Sequence, residues 1–176
     1  ALLTLAGAAL VAVALHRNVP EPMPGRGRFR TALLGHLADP HLRRTFAIGF
    51  LILFGFIGVF TYVGFVLMAP PNALSMAALG LVFLVFLPSM ATTPMAGAAA
   101  RIAGPGPASA ASLGLALAGL LMLLVPDLVA ALAGMTLVGI GTFFAQAVAT
   151  GHVGRIAQGD KAAASGLYLS SYYCGG

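Results

Sequence analysis

From Thr45 to Ala100 the chain carries no Asp, Glu, Lys, Arg or His. As one helix this run would reach ~84 Å at ~1.5 Å per residue, far beyond the ~30 Å hydrocarbon core of a bilayer, so the pattern requires a fold-back. Ala69-Pro70-Pro71-Asn72 supplies it, because prolines cannot continue a helix and Asn suits a turn. The same reading divides the chain into apolar segments at Ala1 to Leu15, Phe46 to Met68, Leu74 to Met95, Ala108 to Val125, Leu128 to Val148 and Ala162 to Gly176. The middle four are long enough to cross a membrane. The first and last fall short of the ~20 residues a spanning helix needs and, since residue 1 is not Met, are expected to be cut spans of a longer protein. Ala1 to Leu15 has neither the basic lead nor the small-residue cleavage pattern of a signal peptide. The expected fold class is all-α, a polytopic bundle of transmembrane helices.

Composition agrees. Hydrophobic residues make up 60% and charged residues 7% of the chain, and mean hydropathy is +0.99, whereas soluble domains carry roughly 25% charged residues. The net charge of +5 does not point to nucleic acid: the basic residues form no helical face interleaved with aromatics and sit at the ends of apolar segments. The single cysteine, Cys174, excludes an internal disulfide, and no Cys/His spacing fits a metal site. No cofactor is implied.

The charges orient the chain. Arg17, Arg26, Arg28, Arg30, Arg43 and Arg44 follow the first segment, Arg101 the third, and Arg155 and Lys161 the fifth, while the Pro70-Pro71 and Pro126-Asp127 turns carry no basic residue. Cytoplasmic loops are enriched in Lys and Arg, so the basic connections are expected inside and the two turns outside. The long connection from His16 to Arg44 begins with Pro20, Pro22, Pro24, Gly25 and Gly27, then places Phe29, Leu33, Leu34 and Leu37 at helical spacing. That pattern predicts a short amphipathic helix lying on the membrane, although a plain tether is the alternative. Asp39-Pro40 then reads as an N-cap followed by Pro at the first helical position. The expected organisation is a truncated helix over residues 1–15, a cytoplasmic linker over 16–44 and a helical bundle over 45–176.

A span entering the cytosol, a long basic linker with a short helix, and spans joined by alternating short turns resemble the middle and C-terminal half of a major facilitator superfamily transporter. The residues that carry the likeness are Leu37-Ala38-Asp39-Pro40-His41-Leu42 leading into Phe50 to Tyr62, the stretch from Pro94-Met95-Ala96-Gly97 through Arg101 to Gly104, and Gly166-Leu167-Tyr168. The resemblance implies helices six to eleven of a twelve-helix protein, with the N-terminal half missing. Gly97, Arg101 and Gly104 would be the degenerate copy of the family's loop signature, which here lacks its acid; a simple positive-inside anchor is the other reading of Arg101.

Ionisable groups inside a membrane usually mark ion and substrate pathways, and the four complete segments contain no Asp, Glu, Lys, Arg or His. A coupling carboxylate would therefore belong to the missing half, and Asp127 reads as turn and cap chemistry. The candidate solute contacts are neutral. Phe143, Gln146 and Thr150 share one face of the fifth segment, and an amide in hydrocarbon needs a partner helix or a wet cavity. Tyr168, Ser171 and Tyr172 share a face of the sixth, where anchoring at the membrane interface competes with ligand stacking. Phe54 and Tyr62 belong to the aromatic second segment, and Pro88 and Pro94 are expected to bend the third beside Ser89, Thr92 and Thr93. Because polar groups are sparse in the first and fourth segments, these are expected at the periphery. No two glycines lie four apart, so small residues here suit packing within one bundle rather than a GxxxG dimer.

By its residues and by the resemblance the chain is expected to be no enzyme but part of a secondary transporter in the bacterial inner membrane. It would move a small organic solute, drug-like or sugar-like, with efflux and proton coupling as the nearest variants. Its expected partners are the lipid bilayer, the solute, protons as a candidate coupling ion and the missing half of the chain; nucleic acid is not among them. The alternative function is a non-transporting or ATPase-partnered permease or scaffold subunit.

Overall fold

The computed structural model describes residues 26–70 and 72–176. The apolar segment over residues 1–15, the proline-rich start of the linker and Pro71 of the first turn lie outside the described residues. Among the described residues every regular element is a helix, with α1 at Arg26–Ala38, α2 at Pro40–Met68, α3 at Met76–Ile102, α4 at Pro105–Met122, α5 at Leu128–Ile156 and α6 at Lys161–Cys174. Helices α2, α3, α4 and α5 are long and apolar enough to cross a membrane.

Local chemistry sets the helix starts. The Asp39 carboxylate accepts from the backbone N–H groups of His41 and Leu42, with Pro40 at the first helical position, where its missing N–H costs nothing. Asp127 accepts from Ala130 N at 2.9 Å and Asp160 from Ala163 N at 2.9 Å, capping α5 and α6 in the same way. Every acid among the described residues is thus an N-cap.

α3 runs further than its apolar pattern suggests, passing through Pro88 and Pro94 with 3-10 turns at Phe83–Phe86 and Thr93–Met95. Pro88 has no N–H to offer the carbonyl of Leu84; the 3-10 turn lets Leu87 N–H serve that carbonyl instead. The hydroxyls of Thr92 and Thr93 donate to the carbonyls of Pro88 (3.0 Å) and Ser89 (2.6 Å), between the two 3-10 turns. The helix therefore passes its prolines with those carbonyls paired.

α5 is the centre of the bundle, in contact with α2, α3, α4 and α6. Its closest neighbour is α4, and glycine makes that approach possible. A Cβ on Gly134 would sit 2.7 Å from the carbonyl oxygen of Gly119, one on Gly119 2.5 Å from the oxygen of Gly134, and one on Gly141 2.5 Å from the oxygen of Ser112. Ser112 is buried in this seam and turns its hydroxyl back onto Ala108 O at 2.9 Å. Among the described residues α4 packs chiefly on α5 and next on the end of α3, so it forms one side of the bundle.

α1 docks on the bundle through His36, which is 5% exposed and whose Nε2 lies 2.9 Å from the backbone carbonyl of Asp160. A carbonyl only accepts, so Nε2 carries the proton there. Leu34 and Leu37 on the same helix are exposed.

Candidate functional site

α5 presents Phe143, Gln146 and Thr150 on one face, and the bundle treats them differently. Gln146 is half-buried, while Phe143 and Thr150 remain exposed. The Gln146 Oε1 accepts a hydrogen bond from the Tyr168 hydroxyl of α6. Thr150 lies beside the same phenol and donates its own proton to the backbone carbonyl of Gln146 at 2.8 Å.

Tyr168 is 1% exposed, and its position depends on a glycine of α2. A Cβ at Gly49 would fall 2.7 Å from Cε2 of the tyrosine ring, so the ring lies in a notch that any other residue would fill. Phe46 flanks it with ring centroids 6.5 Å apart, Tyr172 stacks on it at 6.5 Å, and one turn from Tyr168 the Ser171 hydroxyl donates to Phe46 O at 2.9 Å. Gln146, Tyr168, Thr150, Ser171 and Tyr172 are thus gathered where α2, α5 and α6 meet. These five side chains are uncharged hydrogen-bonding groups, and Arg43 lines the α2–α6 groove beside Phe46 and Ser171.

Phe143 joins a different cluster. Its ring lies 5.3 Å from Phe56 and 6.0 Å from Phe86, and Phe60 is 4.6 Å from both Phe56 and Phe86. Sequence reasoning favoured Phe54 and Tyr62 of α2 and did not single out Phe56, Phe86 or Gly49. The structure places Phe54 and Tyr62 away from Gln146, 61% and 71% exposed, on the side of α2 opposite its buried residues Gly49, Ile52, Val63 and Leu67. The i, i+4 spacing of Phe56 and Phe60 was the available signal, but α2 is apolar all round and offers no polar face to choose between the two stripes.

The glycines and arginine expected in a loop are also accounted for. Gly97 and Arg101 lie in the last turns of α3, where the guanidinium folds back over the open surface of Gly97. Gly104 adopts φ 89°, a left-handed backbone that glycine takes without penalty, and turns the chain into α4. Two open grooves flank α6, one of about 590 Å³ between α1 and the α5–α6 turn, the other of about 580 Å³ between α2 and α6. Among the described residues no group of His, Cys, Asp and Glu could hold a metal ion.

Four helices long and apolar enough to span a bilayer define a multi-pass helical membrane protein, which lives in lipid. Comparison with known proteins narrows the class. Over 149 residues the chain is 33% identical to the uncharacterized MFS-type transporter YybF of Bacillus subtilis, covering 85% of this chain and 37% of that protein. It is 41% identical over 140 residues to the inner membrane transport protein YnfM of Escherichia coli, and 31% identical over 140 residues to an uncharacterized transporter of Buchnera aphidicola subsp. Schizaphis graminum, in each case covering 80% of this chain and 34% of the relative. The chain belongs to the major facilitator superfamily. It spans about a third of the length of these curated relatives. No family model and no solved structure matches it.

Proposed function

We propose that this chain is the C-terminal part of a secondary transporter of the bacterial inner membrane, corresponding to helices six to eleven of a twelve-helix protein. It moves a small organic solute by rocking two helical bundles about a site near the bilayer midplane. The observation that carries this reading is the junction of Gln146 with Tyr168, open on the α5 face that also bears Phe143 and Thr150. A half-buried amide with exposed neighbours on its own face is suited to meet a solute or the other half of the protein. Arg101, Arg155 and Lys161 face the cytoplasm, and the α2–α3 and α4–α5 turns face outside. α1 and the residues before it are the cytoplasmic linker between the two halves. Because Asp39, Asp127 and Asp160 are spent on helix caps, a proton-coupling carboxylate belongs to the missing half, and efflux of a drug-like or sugar-like molecule is the variant proposed.

The test is transport by the full-length protein. Gln146→Ala and Gln146→Leu are expected to weaken transport while membrane insertion stays intact. Unchanged transport in both removes Gln146 from the solute path; loss of expression in both assigns it to helix packing alone.

A further inference from the structure

A glutamine amide has two unlike ends, an oxygen that accepts and a nitrogen that donates. At the α2–α5–α6 junction the oxygen is already taken. The Tyr168 hydroxyl donates to it, and that phenol is held by the Gly49 notch, by Phe46 and by its own burial. Among the described residues the Gln146 nitrogen has no acceptor, and it is not sealed from the surface. Thr150, one turn on, donates to the Gln146 backbone carbonyl and lies beside the Tyr168 phenol. No carboxylate lies there, because the acids among the described residues are caps at helix ends, and Arg43 lies in the α2–α6 groove with Phe46 and Ser171. A cation would find no countercharge, and an anion would find a single neutral amide donor in place of its hydration.

We propose that Tyr168 is a positioning residue that turns the Gln146 amide nitrogen outward, so that the site selects neutral solutes carrying a hydrogen-bond acceptor such as a carbonyl or ether beside a flat apolar part. The apolar part lies toward Phe143, one turn away and 37% exposed. This inference rests on the reading of Gln146 as a solute contact. Discrimination follows from hydrogen-bond chemistry: a ligand that satisfies the N–H gains a bond, whereas one that offers only donors leaves both partners unpaired.

Two aromatic probes of similar size separate the alternatives, N,N-dimethylbenzamide, which only accepts, and benzylamine, which as an ammonium only donates. Their apparent affinities for the full-length protein are read from the concentration dependence of thermal unfolding in detergent. The wild type is expected to bind the benzamide about ten-fold more tightly than the amine. Gln146→Glu, which keeps an oxygen for Tyr168 but turns a carboxylate oxygen toward the solute, is expected to reverse the order. Tyr168→Phe is expected to bring the two affinities within about three-fold, because the released amide presents either end. A purely structural role for Tyr168 would lower stability without changing that ratio. Should Tyr168→Phe fail to fold, the reversal in Gln146→Glu decides. Equal affinities or an amine preference in the wild type, together with weaker binding of both probes in Gln146→Leu, overturn the donor assignment and leave the solute contact standing. Probe affinities untouched by Gln146→Leu overturn the solute contact itself. No shift with the benzamide up to its solubility limit overturns the donor assignment as well.

Discussion

Gly134→Ala adds one methyl group where α5 meets α4, and its cost can be worked from the distances. The new Cβ would lie 2.7 Å from the Gly119 oxygen, whereas ordinary contact begins at 3.4 Å, so the backbones must part by about 0.7 Å. A gap of ~0.5–1 Å forfeits a quarter to a half of each contact worth ~0.1–0.2 kcal/mol, so a crossing of some dozens of atom pairs loses ~1–2 kcal/mol. That agrees with the usual ~1–3 kcal/mol for overpacking. Alanine's better helix propensity returns at most ~0.5–1 kcal/mol, leaving a net loss of ~1 kcal/mol. Gly154 lies on the same helix with nothing within 4 Å of its Cβ direction, so Gly154→Ala keeps the propensity gain without the clash and is neutral or slightly stabilising. Unfolding in detergent micelles of rising sodium dodecyl sulfate content, followed by circular dichroism, reads both against the wild type. The double variant Gly119→Ala with Gly134→Ala should cost less than the sum of the singles, because one displacement of the helices relieves both clashes. If Gly134→Ala and Gly154→Ala shift the midpoint in the same direction and by the same amount, the close approach of α4 and α5 is wrong.

Two further outcomes are expected. In a full-length protein with Cys174→Ser, a cysteine at Arg28 or Arg155 should react with an impermeant maleimide only from the cytoplasmic side and one at Asn72 only from outside; reaction of Arg28→Cys and Asn72→Cys from the same side would sink the orientation. His36→Ala removes a nearly buried bond to Asp160, whose carbonyl keeps a second donor in Ala164 N at 3.2 Å, so the loss is near the low end, ~1 kcal/mol. Tryptic cleavage after Arg30 should then quicken by about five-fold if local release of α1 limits it, and an unchanged rate would mean that this bond does not hold the helix.

Among the described residues, where helices begin could be read largely from the residues alone, because it follows from local rules. A long run without charge suits lipid, Asp39-Pro40 caps and starts α2, and Asp127 caps α5. Gln146 could be recognised as needing a partner, since an isolated amide in hydrocarbon is costly. Which partner it takes was decided by tertiary structure: Tyr168 reaches it only because Gly49 of a third helix leaves room for the ring. The same holds for Phe56 and Phe86, which meet Phe143 while Phe54 and Tyr62 turn outward, and for His36, which finds its acceptor 124 residues away. In water, burial sorts apolar faces from polar ones and leaves that sorting in the sequence. In a membrane lipid and protein interior are equally apolar, so the faces are sorted by glycine notches and single hydrogen bonds that exist only once particular helices lie side by side.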